Sequence, residues 1–395
     1  MSLLSALHAE WAEPYETNPM PRIHAALSFN PDAGLIQAGL PLFQGEEVDA
    51  LEWSFDTLFK LPEVPEWFEE LLAFYGDHGR LVGHGVFFSL FSGKWLPEQA
   101  AWLDQLRALS KRYRFDHISE HFGFLTGADF HKGAPLAVPY SQQTLAIGRD
   151  RLMRIADACG CPVGLENLAF AMDIHAAQVH GEFLDALLSP VNGFLILDLH
   201  NLYCQLHNFD LDAEAMLNAI PLHRVREIHI SGGSWQASEF RPDPGIRRDT
   251  HDEQVPDEVF QLLSMAMPKL PNLKFVVMEQ MGFTLHTPEA QAGYQSDYRR
   301  MREMVQQEDA RRTVDEGSLF VPPSLGALLP PLEDMELYRQ QTALSDILET
   351  APSLEAALQA IAVSPLAGTD WDAQAWDPAM LETARLIAQK WRDRN

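Results

Sequence analysis

The chain has 395 residues, 46% of them hydrophobic, which is enough for one domain of about 250–300 residues and a smaller one beside it. Its formal charge of −27 argues against a nucleic-acid partner, whose phosphates need a basic footprint. No apolar run reaches the ~18 residues of a membrane span, the N-terminus lacks a basic, cleavable signal, and three cysteines are too few for a disulfide framework, so the expected location is cytoplasmic.

Residues 1–20 carry little periodicity and form an N-terminal segment without an assigned element. Residues 22–29 read as a first short strand or entry segment, 31–39 as turn-rich, and 48–55 as a strand followed by Asp56. A helix is expected over 65–75, with Pro65 at its start and Gly76 at its end. Residues 80–90 form a strand carrying Gly83-His84-Gly85, and 96–113 an amphipathic helix with Leu96, Ala100, Leu103, Leu106 and Leu109 on one side. A strand over 115–124 contains Ser119-Glu120-His121, and 125–140 is a Gly-, His- and Pro-bearing loop of the kind that forms a lid.

The second half repeats the pattern. A helix over 141–158 leads through the tight turn Cys159-Gly160-Cys161 into a strand, 161–165, that ends in Glu166-Asn167. A helix over 179–188 precedes the apolar run 194–197, which stops abruptly at Asp198, His200 and Asn201. A helix over 212–219, a strand over 225–230 with His229, a long insertion over 231–256 that closes on Asp249-Thr250-His251, a helix over 257–266 and a strand over 275–278 followed by Glu279 complete the series.

Alternation of strand, polar tip and helix implies a parallel sheet. Seven or eight units with chemical groups at nearly every strand end favour an α/β fold of the (β/α)8 TIM-barrel type, because an open doubly wound sheet, the alternative, gathers its site at one switch point. The division expected is 21–290 for the barrel with its site, 291–331 for a polar helix and a Pro-rich linker, and 332–395 for a small C-terminal helical region.

Four histidines (84, 121, 229 and 251), the carboxylates of Glu120, Glu166, Asp198, Asp249 and Glu279, and the amides of Asn167 and Asn201 sit at these strand ends or in the insertion. Converging at one barrel mouth, the acids would repel one another severely unless cations lay between them. Mixed imidazole and carboxylate ligation suits iron, manganese or zinc, and Glu166 can bridge two ions. His117 is assigned a packing role, His207 and Asn208 read as loop hydrogen-bonders, and His131, His175, His180, His223 and His286 as surface or structural.

In these motifs, taken in order, the chain resembles the multinuclear non-heme iron-dependent oxidative enzymes, whose barrel is xylose-isomerase-like. The motifs are Gly83-His84-Gly85, Ser119-Glu120-His121, Leu165-Glu166-Asn167, Leu197-Asp198 with His200-Asn201, Glu227-Ile228-His229, Asp249-Thr250-His251 and Met278-Glu279. The resemblance implies two or three mixed-valent iron ions, dioxygen as co-substrate, and oxidation of a cysteine or C-terminal residue in a ribosomally made precursor peptide, which a separate small protein commonly presents. It implies His84, His121, Glu166, Asp198, Asn201, His229, Asp249, His251 and Glu279 as ligands, with Glu120, Asn167 and His200 as further ligands or their supports. Where the family has a Glu-Asn pair after the first barrel strand this chain has Asp56-Thr57, and where it has a double Asn this chain has His200-Asn201. Arg247 and Arg248 read either as a clamp for a peptide carboxylate or as a plain surface pair. A metal-dependent isomerase or hydrolase on the same barrel, and a non-catalytic metal-binding relative, are the alternatives.

Overall fold

A computed structural model describes residues 23–59, 64–125, 135–241, 243–312 and 320–392. The N-terminal segment 1–20, His131 and most of the expected lid lie outside these residues.

Eight parallel strands close into a barrel: β1 (His24–Ser28), β2 (Ala50–Trp53), β3 (Leu81–Gly85), β4 (His117–His121), β5 (Val163–Glu166), β6 (Phe194–Asp198), β7 (Val225–Ile230) and β8 (Phe275–Met278). Each pairs with its sequence neighbours, and β8 returns to β1. Because successive side chains point to opposite faces of a strand, the outward set, including Leu27, Leu51, Ile118, Leu165, Leu195 and Val276, joins the main core under the helices. The inward set is mostly small, and Ala26, Ala50 and Val82 pack around Phe275 and Val277. Gly164 is required there, since a Cβ would lie 2.3 Å from the Phe194 ring. Phe320 packs against Phe194 and Ile196 beneath this layer, so the barrel is filled rather than hollow.

The helices are α1 (Ala33–Gln44), α2 (Glu66–Asp77), α3 (Pro97–Arg112), α4 (Gln142–Cys159), α5 (Ile174–Leu188), α6 (Leu199–Phe209), α7 (Ala213–Ala219), α8 (Asp257–Ala266) and α9 (Pro288–Asp309). Residues 31–39, expected as turns, are mostly the first part of α1. Asp32 caps it by accepting from the backbone N–H groups of Gly34 and Leu35. Gly34, which reads as a turn residue, instead permits close approach, for a Cβ would meet the Gly282 carbonyl oxygen at 2.0 Å. The strand expected over 80–90 stops at Gly85 because the N–H groups of Val86 and Phe87 donate to Asp56 Oδ2, at 2.9 and 2.8 Å, rather than to a neighbouring strand. The residues after Asp198 are also helical, with Asp198 as the cap of α6.

The C-terminal helices α10 (Met335–Thr350), α11 (Leu354–Ala362) and α12 (Pro378–Arg392) lie within 332–395 and pack on one another and on the barrel. Gln341 accepts from Gly93 N–H at 2.9 Å and donates to the Phe91 carbonyl at 2.8 Å. Trp371 meets Phe124 edge-on, Asp377 N–H donates to the Met172 carbonyl, and Asp377 pairs with Arg241. α10 and the segment leading into α12 therefore touch the loops that follow β3, β4, β5 and β7. The segment expected as a linker is irregular and tied to α4, where Arg151 and Arg154 donate to the carbonyls of Leu332 and Leu329. No helix among the described residues is long and apolar enough to cross a membrane.

Candidate metal centre

The strand alternation that fills the barrel also aims the chemistry. His84, His121, Glu166, Asp198 and His229 occupy inward positions at the carboxyl ends of β3 to β7, and Glu279 follows β8. Glu166 is the hub. Its Oε2 lies 3.1 Å from His121 Nε2 and 3.4 Å from His84 Nε2, and its Oε1 lies 3.8 Å from His229 Nδ1.

Hydrogen bonds fix which nitrogen of each ring carries the lone pair. Ser119 Oγ donates to the Gly83 carbonyl and so accepts from His84 Nδ1 at 2.8 Å. His121 Nδ1 donates to the Gly85 carbonyl at 3.0 Å. His229 Nε2 donates to Glu227 Oε1 at 2.9 Å. In their neutral forms all three imidazoles turn a lone pair toward the hub. Several oxygens and one nitrogen around it, Glu166 Oε2, Asp198 Oδ2, Asn201 Oδ1 and His229 Nδ1, are buried without a hydrogen-bond partner. Such orphaned atoms are costly, and a cation near Glu166, Asp198 and His229 would offset part of that cost.

Donor atoms within 4.8 Å of one another form two groups that share Glu166: His84, His121 and Glu166, and Glu166, Asp198, His229 and Glu279. The donor set fits one or more ions of the imidazole- and carboxylate-binding type. The acids and the rings also perturb one another's titration. Burial alone would push the His84 pKa down, but Glu166 and Glu52 outweigh it and raise the pKa to about 9. His229 rises as well, against burial, because Glu52 and Glu279 face it. His121 goes the other way, lowered mainly by burial. Burial, then Glu166 and Asp249, holds the Asp198 carboxyl well above the carboxylate range. Burial has the same sign at Glu279, where His229 and His251 overcome it and keep the carboxyl ionised.

Asp198 Oδ1 caps α6 through Asn201 N–H at 2.5 Å, which leaves Oδ2 free to face the site. Asn201 donates to Glu166 Oε1 at 3.2 Å, leaving its own Oδ1 unpartnered. The insertion brings Asp249 and His251 to the rim. His251 Nε2 is 2.8 Å from Asp249 Oδ1, and its Nδ1 is 3.8 Å from Glu279 Oε2. His251 adopts a left-handed backbone with φ of 51°, a conformation uncommon for a non-glycine residue and often found at functional sites.

The remaining sequence candidates divide. Asn167 clamps the Asp198 backbone, accepting from its N–H and donating to its carbonyl, so both ends of its amide are engaged. His200 braces Asp249 through Nδ1 at 3.3 Å and accepts from Arg247 Nε at 3.2 Å. Glu120 is fully buried but lies outside the two groups, on the other face of β4, where a Cβ on Gly85 would touch its Oε2. Arg247 is not a surface residue: it is buried between the Tyr203 and Trp235 rings, with its backbone held by Asn208. Arg248, half-buried, bonds Gln236.

Three inward residues were not anticipated as parts of the site. Glu52 and Glu227 flank His229 Nε2, and the three are close enough to hold an ion of their own. Only Glu227 has hydrogen-bond geometry; Glu52, 3.0 Å away and wholly buried, has both oxygens unpartnered. His117 packs between Phe194 and Phe275, as expected, but also bonds Glu227. Spacing by two on a strand carried the signal: Glu227 shares a face with His229, and His117 with His121.

The family profile described as "RiPP precursor modification enzyme MbnB/TglH/ChrH" matches residues 48–284, a span that runs from just before β2 to the loop after β8 and holds every donor named above. The chain belongs to the MbnB/TglH/ChrH family. Among its relatives, a UPF0276 protein of Acaryochloris marina is 30% identical over 189 residues, covering 47% of this chain and 64% of that protein. A UPF0276 protein of Neisseria meningitidis is 25% identical over 260 residues, covering 65% of this chain and 88% of that one. The chain thus spans just under two thirds of the length of the first of these relatives. A xylose isomerase domain protein from Planctomyces limnophilus aligns with a TM-score of 0.48 at 14% identity, over 74% of this MbnB/TglH/ChrH-family chain and all of that one. The IOLI protein with a bound zinc atom aligns with the same TM-score and identity, over 72% and 98%.

Proposed function

We propose that this chain is an iron- and dioxygen-dependent enzyme that oxidatively modifies a cysteine or C-terminal residue of a ribosomally synthesised precursor peptide. The observation that carries the reading is Glu166: one carboxylate shared by two donor groups, with three imidazole lone pairs directed at it, is the arrangement a bridged pair of cations needs. Family membership supplies the peptide-modifying class.

In this reading His84, His121 and Glu166 hold one ion, and Glu166, Asp198, His229 and Glu279 a second, with Asn201 beside them. Asp249 and His251 would serve a third ion or the rim of the second. Bound iron in mixed valence would supply electron transfer to dioxygen and Lewis-acid affinity for a thiolate or carboxylate. The protein's share is orientation and exclusion of water. Ser119, the Gly85 carbonyl and Glu227 fix the ring nitrogens, Asn167 holds the Asp198 backbone, and His200 holds Asp249. Arg247 and Arg248 are the groups proposed to receive a peptide carboxylate, with Arg247 flanked by its two aromatic neighbours. The barrel over 21–290, the 291–331 connection and the C-terminal helical region over 332–395 are proposed as the working divisions. The working setting is cytoplasmic, with a precursor peptide as substrate and a small peptide-presenting protein as partner.

The test is anaerobic purification, metal quantification, and oxygen uptake with a short peptide encoded beside the gene. Stoichiometric iron with peptide-dependent oxygen consumption and a mass change in the peptide is the expected result. Bound manganese or zinc with no oxygen consumed would sink the proposal and favour the isomerase or hydrolase class. Retention of metal after replacement of both Glu166 and Asp198 would remove the site itself.

A further inference from the structure

Below the candidate centre the barrel interior carries a line of polar groups that leads away from the mouth. His229 Nε2 donates to Glu227 Oε1 at 2.9 Å, and Glu227 Oε2 meets His117 Nε2 at 2.9 Å. His117 Nδ1 lies 3.1 Å from Asp116 Oδ1, with Arg226 Nε at 3.4 Å. Arg226 Nη2 donates to the same Asp116 oxygen at 2.8 Å, and Lys274 bonds the other. His229, Glu227 and His117 are wholly buried, while Asp116 and Lys274 reach solvent before β4 and β8.

Burying two imidazoles and the Glu227 carboxylate in a column walled by Phe194 and Phe275 is expensive where apolar side chains would fill the same volume. Other inward positions of this layer are filled with Ala, Val and Phe. Glu227, with Glu52 beside it, faces the His229 nitrogen turned away from Glu166, outside the two donor groups that share Glu166, and His117 is one residue further from the rim. What the column does achieve is directional. A carboxylate that accepts from Nε2 leaves Nδ1 as the lone-pair nitrogen, and turns the ring so that this nitrogen faces Glu166 and Glu279. His117 holds the second oxygen of that carboxylate, and the Asp116, Arg226 and Lys274 cluster holds His117.

We infer that Glu227 and His117 are positioning residues: through a hydrogen-bonded column anchored at the far end of the barrel, they fix the ring of His229 and set its strength as a metal ligand. The inference rests on reading the rim as a metal centre.

The experiment uses the full-length protein loaded with iron under anaerobic conditions, and follows iron retention against a chelator, the Mössbauer spectrum, and the melting temperature of the iron-free chain. Glu227→Gln keeps the shape and an acceptor for His229 but removes the charge that polarises it. It is expected to weaken iron retention by about 10- to 100-fold and to change the spectrum of the iron that remains. Asp116→Asn touches no rim residue and is expected to shift the same two readouts in the same direction by a smaller factor. If Glu227→Gln does not fold, Asp116→Asn decides. Retention within about twofold of the parent, with an unchanged spectrum, overturns the inference, even if the iron-free variant melts lower, because that pattern is what a packing residue gives. A parent chain that binds no iron defeats the reading of the rim and takes this inference with it; a parent that binds iron no better than its variants defeats the inference alone.

Discussion

Replacing Glu166 by Gln separates the charge of the hub from its shape. Gln fills the same volume, still accepts from Asn201, and can donate to one of the imidazoles that face Oε2, so the iron-free variant is expected to fold and to melt no lower than the parent. One of the buried charges at the hub is gone, and buried charges of like sign repel. The loss appears on adding metal. An ion at 100 times its dissociation constant stabilises the folded state by about 2.7 kcal/mol. With an unfolding entropy of about 2.1 cal/mol/K per residue, a chain of 395 residues gains only about 3 °C per ion, so two ions bridged by Glu166 should raise the parent's melting temperature by about 6 °C. Because both donor groups contain Glu166, the variant should lose most of this shift rather than half of it. The assay is anaerobic differential scanning calorimetry with and without ferrous iron. An equal rise in parent and variant would show that Glu166 holds no ion. A rise of half the size would show that the two groups do not share it.

Three further outcomes follow from the geometry. His24 in β1 has its pKa pushed down to about 4, first by burial and then by Arg80 and Lys274, from an ordinary 6.5. The unfolded chain therefore takes up a proton near pH 6.5 that the folded chain refuses until about 4. Stability should drop by up to about 3 kcal/mol as pH falls across that window, and the gap between urea midpoints at pH 7 and pH 4.5 should narrow in His24→Leu, with His180, lowered to about 3 by burial, keeping part of it. Gly164→Ala should cost about 1–3 kcal/mol by overpacking against Phe194, and Phe194→Leu in the same chain should recover part of the loss in urea unfolding. Gln341→Ala strands the Gly93 N–H and the Phe91 carbonyl in a buried setting and should cost about 2 kcal/mol or more, read as a fall in the chemical denaturation midpoint.

The barrel was legible because its strands are short apolar runs that end in polar tips, and the helices between them carry caps and periodic apolar faces. The rim donors were legible for the same reason: Glu166, Asp198 and Glu279 each break an apolar run at the point where the chain leaves the barrel. Local reading failed where tertiary contacts overrule composition. The glycines of 31–39 look like turn residues, yet they sit in a helix pressed against Gly282 and Phe29. His200-Asn201 looks like a turn after Asp198, yet Asp198 is a helix cap. Glu52 and Glu227 escaped notice because an acid inside a strand reads as a solvent-facing residue until the barrel closes around it. His117 reads as a packing residue, yet counted from His121 it falls on the inner face, where it bonds Glu227. Arg247 was ambiguous because nothing in the local sequence announces the Tyr203 and Trp235 rings that enclose it.

The attachment of α10 and the segment leading into α12 to the loops after β3, β4, β5 and β7 builds up one flank of the barrel. On that flank stand Trp371, Asp377 and the short antiparallel pair Trp235–Gln236 and Ile246–Arg247. Among the described residues, the arc over β8, β1 and β2 is not covered by these helices, and Met281 and Phe283 stand exposed along it. Among the described residues the C-terminal helices thus give the barrel two unlike flanks, one built up by their contacts and one presenting Met281 and Phe283.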